Sequence, residues 1–91
     1  MSFYFVYLLL SLKDNQFYIG FSTDVYKRYQ EHMHGKNVST ANRLPFELIF
    51  YEAFVSKFDA LRRERYFKTT KGKVTLRQML REYLNDKKDR K

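Results

Sequence analysis

Arg28 and His32 are unusual because they lie one helical turn apart in a segment whose spacing predicts an apolar helix face. The guanidinium group of arginine keeps its charge, so contact with a protein core is costly unless an anion is close by. The anion is either a carboxylate, such as that of Glu64, or a phosphate, whose oxygens suit the planar guanidinium. His32 has two roles open to it: it can orient a hydroxyl or phosphate group, or it can make a structural hydrogen bond.

Two tyrosines are placed where their hydroxyl groups can meet. Tyr7 and Tyr18 lie in apolar, aromatic-rich segments on either side of the turn-forming residues 13–16. If these segments pair as an antiparallel hairpin, the two phenols reach a common site. A free phenol has a pKa of about 10, and a neighbouring cation such as Arg28 would favour its ionised form. Because the chain has eight tyrosines, packing is the default role of any single one.

The elements that hold these groups are predicted in the order β-β-α-β-α-α. Gly35 is expected to end the first helix and Gly72 to break the chain before the third. Three antiparallel strands cannot bury a face alone, so we predict an α+β fold, a small antiparallel sheet flanked by helices. Residues 1–85 would form one domain and residues 86–91 a charged tail that frays. The predicted strands are 3–10, 17–21 and 46–54, and the predicted helices are about 25–34, 57–68 and 75–84.

Composition narrows the class of partner. The 18 lysines and arginines exceed the 10 acidic residues by enough to give a formal charge of +8, which favours a polyanion such as nucleic acid. A basic solvated surface would explain the same excess. There is no cysteine, which excludes disulfides and cysteine-based zinc sites. The apolar run near the N-terminus is too short to span a bilayer and lacks the flanks of a signal peptide, so we expect a cytoplasmic protein with no membrane partner.

The order of several motifs resembles the GIY-YIG nuclease family. Residues 5–7 (Phe-Val-Tyr) and residues 18–20 (Tyr-Ile-Gly) resemble the paired signature of the family, with Phe-Val in place of Gly-Ile in the first half. Arg28 and His32 match its Arg-x-x-x-His helix, and Glu64 falls in a segment similar to the one that carries the family's metal-binding glutamate. The resemblance covers about residues 3–70 and is greatest to the small stand-alone bacterial members. The catalytic domain of the excision-repair nuclease is a more distant relative.

The resemblance implies a nuclease that hydrolyses phosphodiester bonds with one divalent ion, Mg²⁺ or Mn²⁺, held by Glu64. One tyrosine would take the proton from the attacking water, and we favour Tyr18 as this base and Tyr7 as its positioning partner. Arg28 would stabilise the phosphate, and His32 would belong to the same catalytic group. The implied substrate is structured or single-stranded DNA rather than RNA, with DNA repair as the implied process. The residues expected to contact backbone phosphates are Lys27, Lys36, Arg43, Arg62, Lys68 and Lys71.

One family feature is missing, and two other classes of function stay open. Many family members carry an asparagine after the glutamate, whereas here the corresponding segment is 76–79 and the next asparagine is Asn85. The first alternative is a non-catalytic nucleic-acid-binding module on the same fold, and the second is a protein-interaction domain. A carboxylate at a phosphate site would repel the ligand of a pure binder, which favours chemistry. A lone module of this size should bind weakly, or use a protein partner for specificity. The oligomeric state stays open.

Overall fold

Strand β1 is the centre of the fold. The computed structural model describes residues 2–89, and its sheet consists of β1 (Tyr4–Ser11), β2 (Phe17–Ser22) and β3 (Phe46–Phe54). All pairs are antiparallel, and the spatial order is β2-β1-β3. The middle place suits β1 because its last six residues are all buried. The predicted three-stranded antiparallel sheet and the α+β class are confirmed.

Helices cover both faces of the sheet, as three antiparallel strands require. Alternate residues of β1 point to opposite faces. Val6 and Leu8 join the core cluster that contains Ala60, Phe67 and Leu76 of the later helices. Tyr7 and Leu9 join a second cluster on the other face, with Val25 and Phe46. The helical segments are α1 (Val25–Met33), a 3-10 turn (Ala41–Arg43), α2 (Lys57–Phe67), α3 (Thr70–Met79) and α4 (Arg81–Asp89).

The prediction of a single third helix over about 75–84 is wrong, because this region forms two helices, α3 and α4, with Leu80 between them. Helix α3 starts earlier than predicted, since the Thr69 side chain caps it by accepting a hydrogen bond from the Gly72 amide at 2.9 Å. Gly72 therefore lies inside the first turn of α3. A Cβ on Gly72 would lie 1.9 Å from the Tyr66 carbonyl oxygen, so the glycine allows α3 to approach α2 closely.

Helix α4 occupies part of the segment predicted as a charged tail. Residues 86–89 continue the helix, and the rest of that segment, residues 90 and 91, lies outside the described residues. The Tyr83 hydroxyl donates a hydrogen bond to the Glu47 carboxylate and so attaches α4 to β3. No helix within residues 2–89 is long and apolar enough to cross a membrane.

Candidate active site

The hairpin register brings Tyr7 and Tyr18 to one face of the sheet. Tyr7 lies opposite Gly20, and Tyr18 lies opposite Leu9, so the two tyrosines are diagonal neighbours on the α1 side. Their ring centroids are 6.3 Å apart. The structure thus places the two phenols together, as the hairpin pattern predicts.

Gly20 makes room for the end of the Tyr7 side chain. A Cβ at Gly20 would lie 2.3 Å from both Cζ and the hydroxyl oxygen of Tyr7. The tyrosine ring therefore lies across the backbone of β2 at the one strand position without a side chain. The glycine of the Tyr-Ile-Gly motif is required by this contact.

His32 reaches the tyrosines from α1. Its side chain is fully buried, and its Nε2 atom lies 3.0 Å from the Tyr7 hydroxyl. Its other ring nitrogen, Nδ1, lies 2.9 Å from Oγ1 of Thr40, which is also fully buried. The Tyr18 ring meets the His32 ring edge-on at a centroid distance of 4.9 Å. Tyr7, Tyr18 and His32 therefore form one packed aromatic cluster, which we call the tyrosine–histidine cluster.

The hydrogen-bond partners assign a direction to each bond in this cluster. The Thr40 hydroxyl is 3.3 Å from the Asn37 carbonyl oxygen, which can only accept, so Thr40 donates there. Its oxygen then accepts from the protonated Nδ1 of His32, and the free Nε2 accepts from the Tyr7 hydroxyl. Burial lowers the pKa of His32, and the Arg28 charge lowers it further while Glu31 opposes them. His32 is therefore neutral at neutral pH, as this arrangement requires.

Burial also raises the pKa of Tyr7 far above the ordinary range of a phenol. Tyr18 adds to the rise, Arg28 acts against it, and Glu64 and Glu31 add to it further. Arg28 does favour the phenolate of Tyr7, as expected, but desolvation outweighs the cation. Tyr7 stays protonated and donates to His32. The charges of Arg28, Glu31 and Glu64 therefore all act on the Tyr7 phenol.

Arg28 lies at the surface, and its predicted place on the inner stripe of the helix is wrong. Its side chain is 45% exposed, and its nearest carboxylate is Glu31, with Nη1 and Oε1 3.6 Å apart. The core-facing side of α1 is defined by Val25 and His32 instead. The carboxylate proposed as a partner for Arg28, that of Glu64, pairs with another cation. Arg28 thus has its charge next to the cluster with much of its guanidinium open to solvent.

Glu64 lies on α2 with its side chain 17% exposed, and its Oε2 atom is 3.1 Å from Nζ of Lys68. Within residues 2–89 there is no group of three or more histidine, cysteine or acidic side chains that could hold a metal. Carboxylate oxygens such as those of Glu64 and Glu31, and phenol oxygens, are hard ligands that suit Mg²⁺ or Mn²⁺. The single, partly exposed carboxylate of Glu64 suits a metal ion that keeps most of its water ligands. It does not suit an ion whose ligands all come from the protein.

The six predicted phosphate-contacting residues differ in their surroundings. Lys27 lines a depression of about 320 Å³ with Arg28 and Glu31, and Lys36 lines an adjoining one of about 400 Å³ with the same two residues. These two lysines thus share their depressions with Arg28. Three of the other four are paired with acidic side chains. Arg43 binds Asp14 at 3.0 Å and the Phe17 carbonyl at 3.3 Å, Arg62 binds Asp59 at 2.5 Å, and Lys68 binds Glu64. Lys71 is exposed on α3.

Two residues of the site were missed from the sequence. Glu31 stands three residues after Arg28, a spacing that predicts a side-chain pair on a helix, so a signal was present. Thr40 lies in a polar loop eight positions after His32, and nothing local distinguishes it from its neighbours. Its role depends on how that loop folds back over α1.

The comparisons with known proteins place this architecture in a family. The model of the GIY-YIG catalytic domain matches residues 3–79, and the chain therefore belongs to the GIY-YIG family of nuclease-type domains. It is similar to the small bacterial UPF0213 proteins. The UPF0213 protein YazA of Bacillus subtilis is 41% identical over 63 residues, which are 68% of this chain and 64% of YazA, so the chain spans slightly less than two thirds of that relative.

Two further relatives cover more of the chain. A UPF0213 protein of Streptococcus pneumoniae is 36% identical over 83 residues, which are 90% of this chain and 79% of the relative. The solution NMR structure of the UPF0213 protein BH0048 from Bacillus halodurans is 38% identical and has a TM-score of 0.53, with 87% of this chain and 85% of that chain covered. The match therefore extends from the motifs to the three-dimensional fold.

Proposed function

We propose that this protein is a metal-dependent nuclease that hydrolyses phosphodiester bonds in DNA, with structured or single-stranded DNA as its substrate. The observation that supports the proposal is the packed group of Tyr7, Tyr18 and His32, with the charges of Arg28 and Glu64 both acting on the pKa of Tyr7. Phosphodiester hydrolysis needs an activated water and compensation of developing negative charge, and these groups offer both.

The two tyrosines have different surroundings, which supports different roles. The Tyr7 hydroxyl is buried and already donates to His32, so it is occupied as an orienting group. Tyr18 is only half-buried and packs against the edge of the His32 ring. We assign to Tyr18 the removal of a proton from the attacking water. Tyr7 and His32 hold Tyr18 in place.

Arg28 and Glu64 supply the charges. Because Arg28 is nearly half exposed and only loosely paired with Glu31, its guanidinium is available to a phosphate. Glu64 would hold one Mg²⁺ or Mn²⁺ ion, which as a Lewis acid stabilises negative charge on the leaving oxygen. Lys27 and Lys36 line depressions that Arg28 also lines and would contact neighbouring phosphates. We further propose cytoplasmic action, DNA in preference to RNA, a role in DNA repair, and a partner protein that adds specificity.

A non-catalytic nucleic-acid-binding module is the second candidate. The contact that favours it is the ion pair between Lys68 and Glu64, which occupies the carboxylate assigned to the metal. In such a module the basic surface would bind backbone phosphates and no bond would be cut.

A nuclease assay with Mg²⁺ or Mn²⁺ on single-stranded, duplex, flap and RNA substrates separates the two candidates. The parent protein should cut a DNA substrate, and Glu64→Ala should abolish cutting with binding nearly unchanged. Glu82→Ala is the matched control, since that carboxylate is 89% exposed on α4. Cutting by Glu64→Ala at the parental rate would remove the metal-ligand role. Binding without cutting by the parent on every substrate would favour the binding module.

The role of Arg28 needs a separate measurement. Arg28→Ala should lower kcat more than it weakens binding, because the interaction with the phosphate strengthens as charge develops in the transition state. Arg81→Ala is a control that removes an exposed guanidinium of α4, 65% exposed, away from the cluster. A loss of affinity alone in Arg28→Ala would make Arg28 a simple phosphate contact.

A further inference from the structure

Helix α4 and the β1–β2 turn line an open cavity of about 370 Å³ on the sheet face opposite Tyr7 and His32. Its floor is apolar and consists of Leu10, Phe17 and Leu84. Leu10 and Phe17 are direct partners across the hairpin, so the floor is continuous between the two strands. All of α4 lies beyond residues 3–79, the part of the chain that matches the family model, so the half of the lining that α4 supplies lies outside the matched region.

The rim of the cavity is cationic. Arg77, Lys87 and Lys88 line it, and within residues 2–89 no aspartate or glutamate is among the residues lining it. The guanidinium of Arg77 lies over the Phe17 ring, 4.7 Å from its centroid, which holds this charge against the floor. A concentration of positive charge with no carboxylate in its lining attracts an anion.

Two amide side chains complete the lining. Asn15 contributes from the turn, where it has a left-handed backbone with φ of 59°, and Asn85 contributes from α4. Carboxamides both donate and accept, which suits the mixed hydrogen-bonding edges of nucleobases. A simple phosphate site would need the cations but neither the apolar floor nor the amides.

We propose that this cavity is a second contact site for single-stranded nucleic acid, in which a base packs on the apolar floor and adjacent phosphates contact Arg77, Lys87 and Lys88. Stacking surfaces flanked by cations are the general means by which proteins hold single strands without reading sequence. The volume is within the range of small-ligand pockets, about 300–1,000 Å³. The proposal rests on the proposed nuclease function and adds to it the form of the substrate.

The position of the cavity fits a strand that also reaches the tyrosine–histidine cluster. Phe17 in the cavity and Gly20 beneath Tyr7 are three residues apart on β2, about 10 Å at the usual rise of a strand. Because β2 is an edge strand of the sheet, a nucleic-acid chain can pass around this edge from one face to the other. The cavity would therefore hold nucleotides a short distance from the scissile bond.

A binding experiment in the Glu64→Ala background tests the cavity without cutting. The double variant Lys87→Gln/Lys88→Gln is compared with Lys57→Gln/Lys73→Gln, which removes the same charge from exposed positions that do not line the cavity. The probe is a short fluorescent single-stranded oligodeoxynucleotide. Loss of two phosphate contacts should reduce the slope of log affinity against log salt by about 1.4. The control should keep the parental slope, and equal effects in both double variants would overturn the proposal.

Backbone amide NMR gives a second measurement. It uses a protein in which all residues that line the cavity are unchanged, so the result does not depend on how the lysine variants fold. Addition of the oligodeoxynucleotide to Glu64→Ala should shift the signals of Asn15, Phe17 and Asn85. A duplex or inorganic phosphate should shift them less, because neither offers a free base. Equal shifts with phosphate or duplex, or no shifts at these residues, would overturn the proposal.

The cavity proposal and the nuclease proposal can fail separately. If the parent protein never cuts but the oligodeoxynucleotide shifts these signals, only the nuclease proposal fails. If the parent protein cuts but the signals do not shift, only the cavity proposal fails.

Discussion

The aromatic ring of Tyr7 lies across the Cα atom of Gly20, so close that a Cβ there would come within 2.3 Å of the tyrosine hydroxyl. The two residues are direct partners in the β1–β2 register. Since the hydroxyl also donates to His32, the ring is held from below by the glycine and at its tip by the imidazole. The two halves of the paired motif are thus joined by one contact.

Gly20→Ala should displace the Tyr7 hydroxyl and break its bond to His32. A misplacement of about 1 Å in a catalytic group can lower the rate about 100-fold, and overpacking costs about 1–3 kcal/mol of stability. Nuclease kinetics and thermal unfolding measure the two effects. Gly35→Ala is the control, because a side chain at φ of +71° strains the end of α1 without touching Tyr7. A Gly20→Ala protein with the parental kcat would show that the position of Tyr7 does not matter for cutting.

Thr40→Val should disturb the tautomer of His32, whereas Thr40→Ser should preserve it. Valine removes the acceptor for the His32 Nδ1 proton, and a buried donor without a partner costs about 1–3 kcal/mol. The ¹⁵N chemical shifts of the imidazole report which nitrogen is protonated, and kcat reports the effect on cutting. Serine keeps a hydroxyl at the same position and is the matched control. Parental shifts and kcat in Thr40→Val would exclude Thr40 as a positioning residue.

Stability should fall as the pH is lowered below about 6.5, the ordinary pKa of histidine. Burial lowers the pKa of His32 in the folded protein, so as the pH falls the unfolded chain takes up a proton on His32 before the folded chain does. The free energy of unfolding therefore declines from about pH 6.5 down to the lowered pKa of His32 in the folded protein. Denaturant unfolding across this range measures the slope. His32→Gln should flatten it, and His34→Gln, which changes the chain's only other histidine, should not. An unchanged slope in His32→Gln would assign the pH dependence to other groups.

Lys68→Met should lower the metal concentration needed for cutting. The ammonium of Lys68 lies 3.1 Å from Glu64 and competes with a metal ion for the same carboxylate. Since the lysine is more than half exposed, the pair is screened by solvent and the shift should be up to about fivefold. Mg²⁺ titration of the cutting rate measures it, with Lys71→Met as the control on the neighbouring helix. A need for more metal in Lys68→Met would mean that the lysine positions Glu64 instead.

The sheet and the proximity of the two tyrosines could be predicted from the sequence because they depend on segments that are adjacent in the chain. The alternation of β1 and the short turn after it determine which side chains share a face, so the proximity of Tyr7 and Tyr18 follows from two adjacent segments. Arg28 was harder to place. At 100° per residue it lies about 60° from Val25, at the edge of the helix face, where a long side chain can turn to solvent.

The features that sequence could not predict depend on contacts between distant segments. Thr40 meets His32 only because the loop after α1 folds back over the helix. Gly72 carries the ordinary signal of a helix breaker, but it is part of α3, where its missing Cβ allows the close contact with Tyr66. In the same way, α4 extends into a segment of high charge because Tyr83 reaches Glu47 on β3. In each case a tertiary contact overrides the local preference.

The double-sided burial of β1 links correct folding to activity. A shift of one residue in the pairing of β1 would exchange its two faces and move Tyr7 to the side of α2, while Val6 or Leu8 would take its place beside His32. Such a misfolded chain would keep much of its apolar burial yet lose the Tyr7 hydroxyl that we propose positions Tyr18. For the proposed nuclease, specific activity per molecule of purified protein should therefore fall as the fraction of misaligned chains rises.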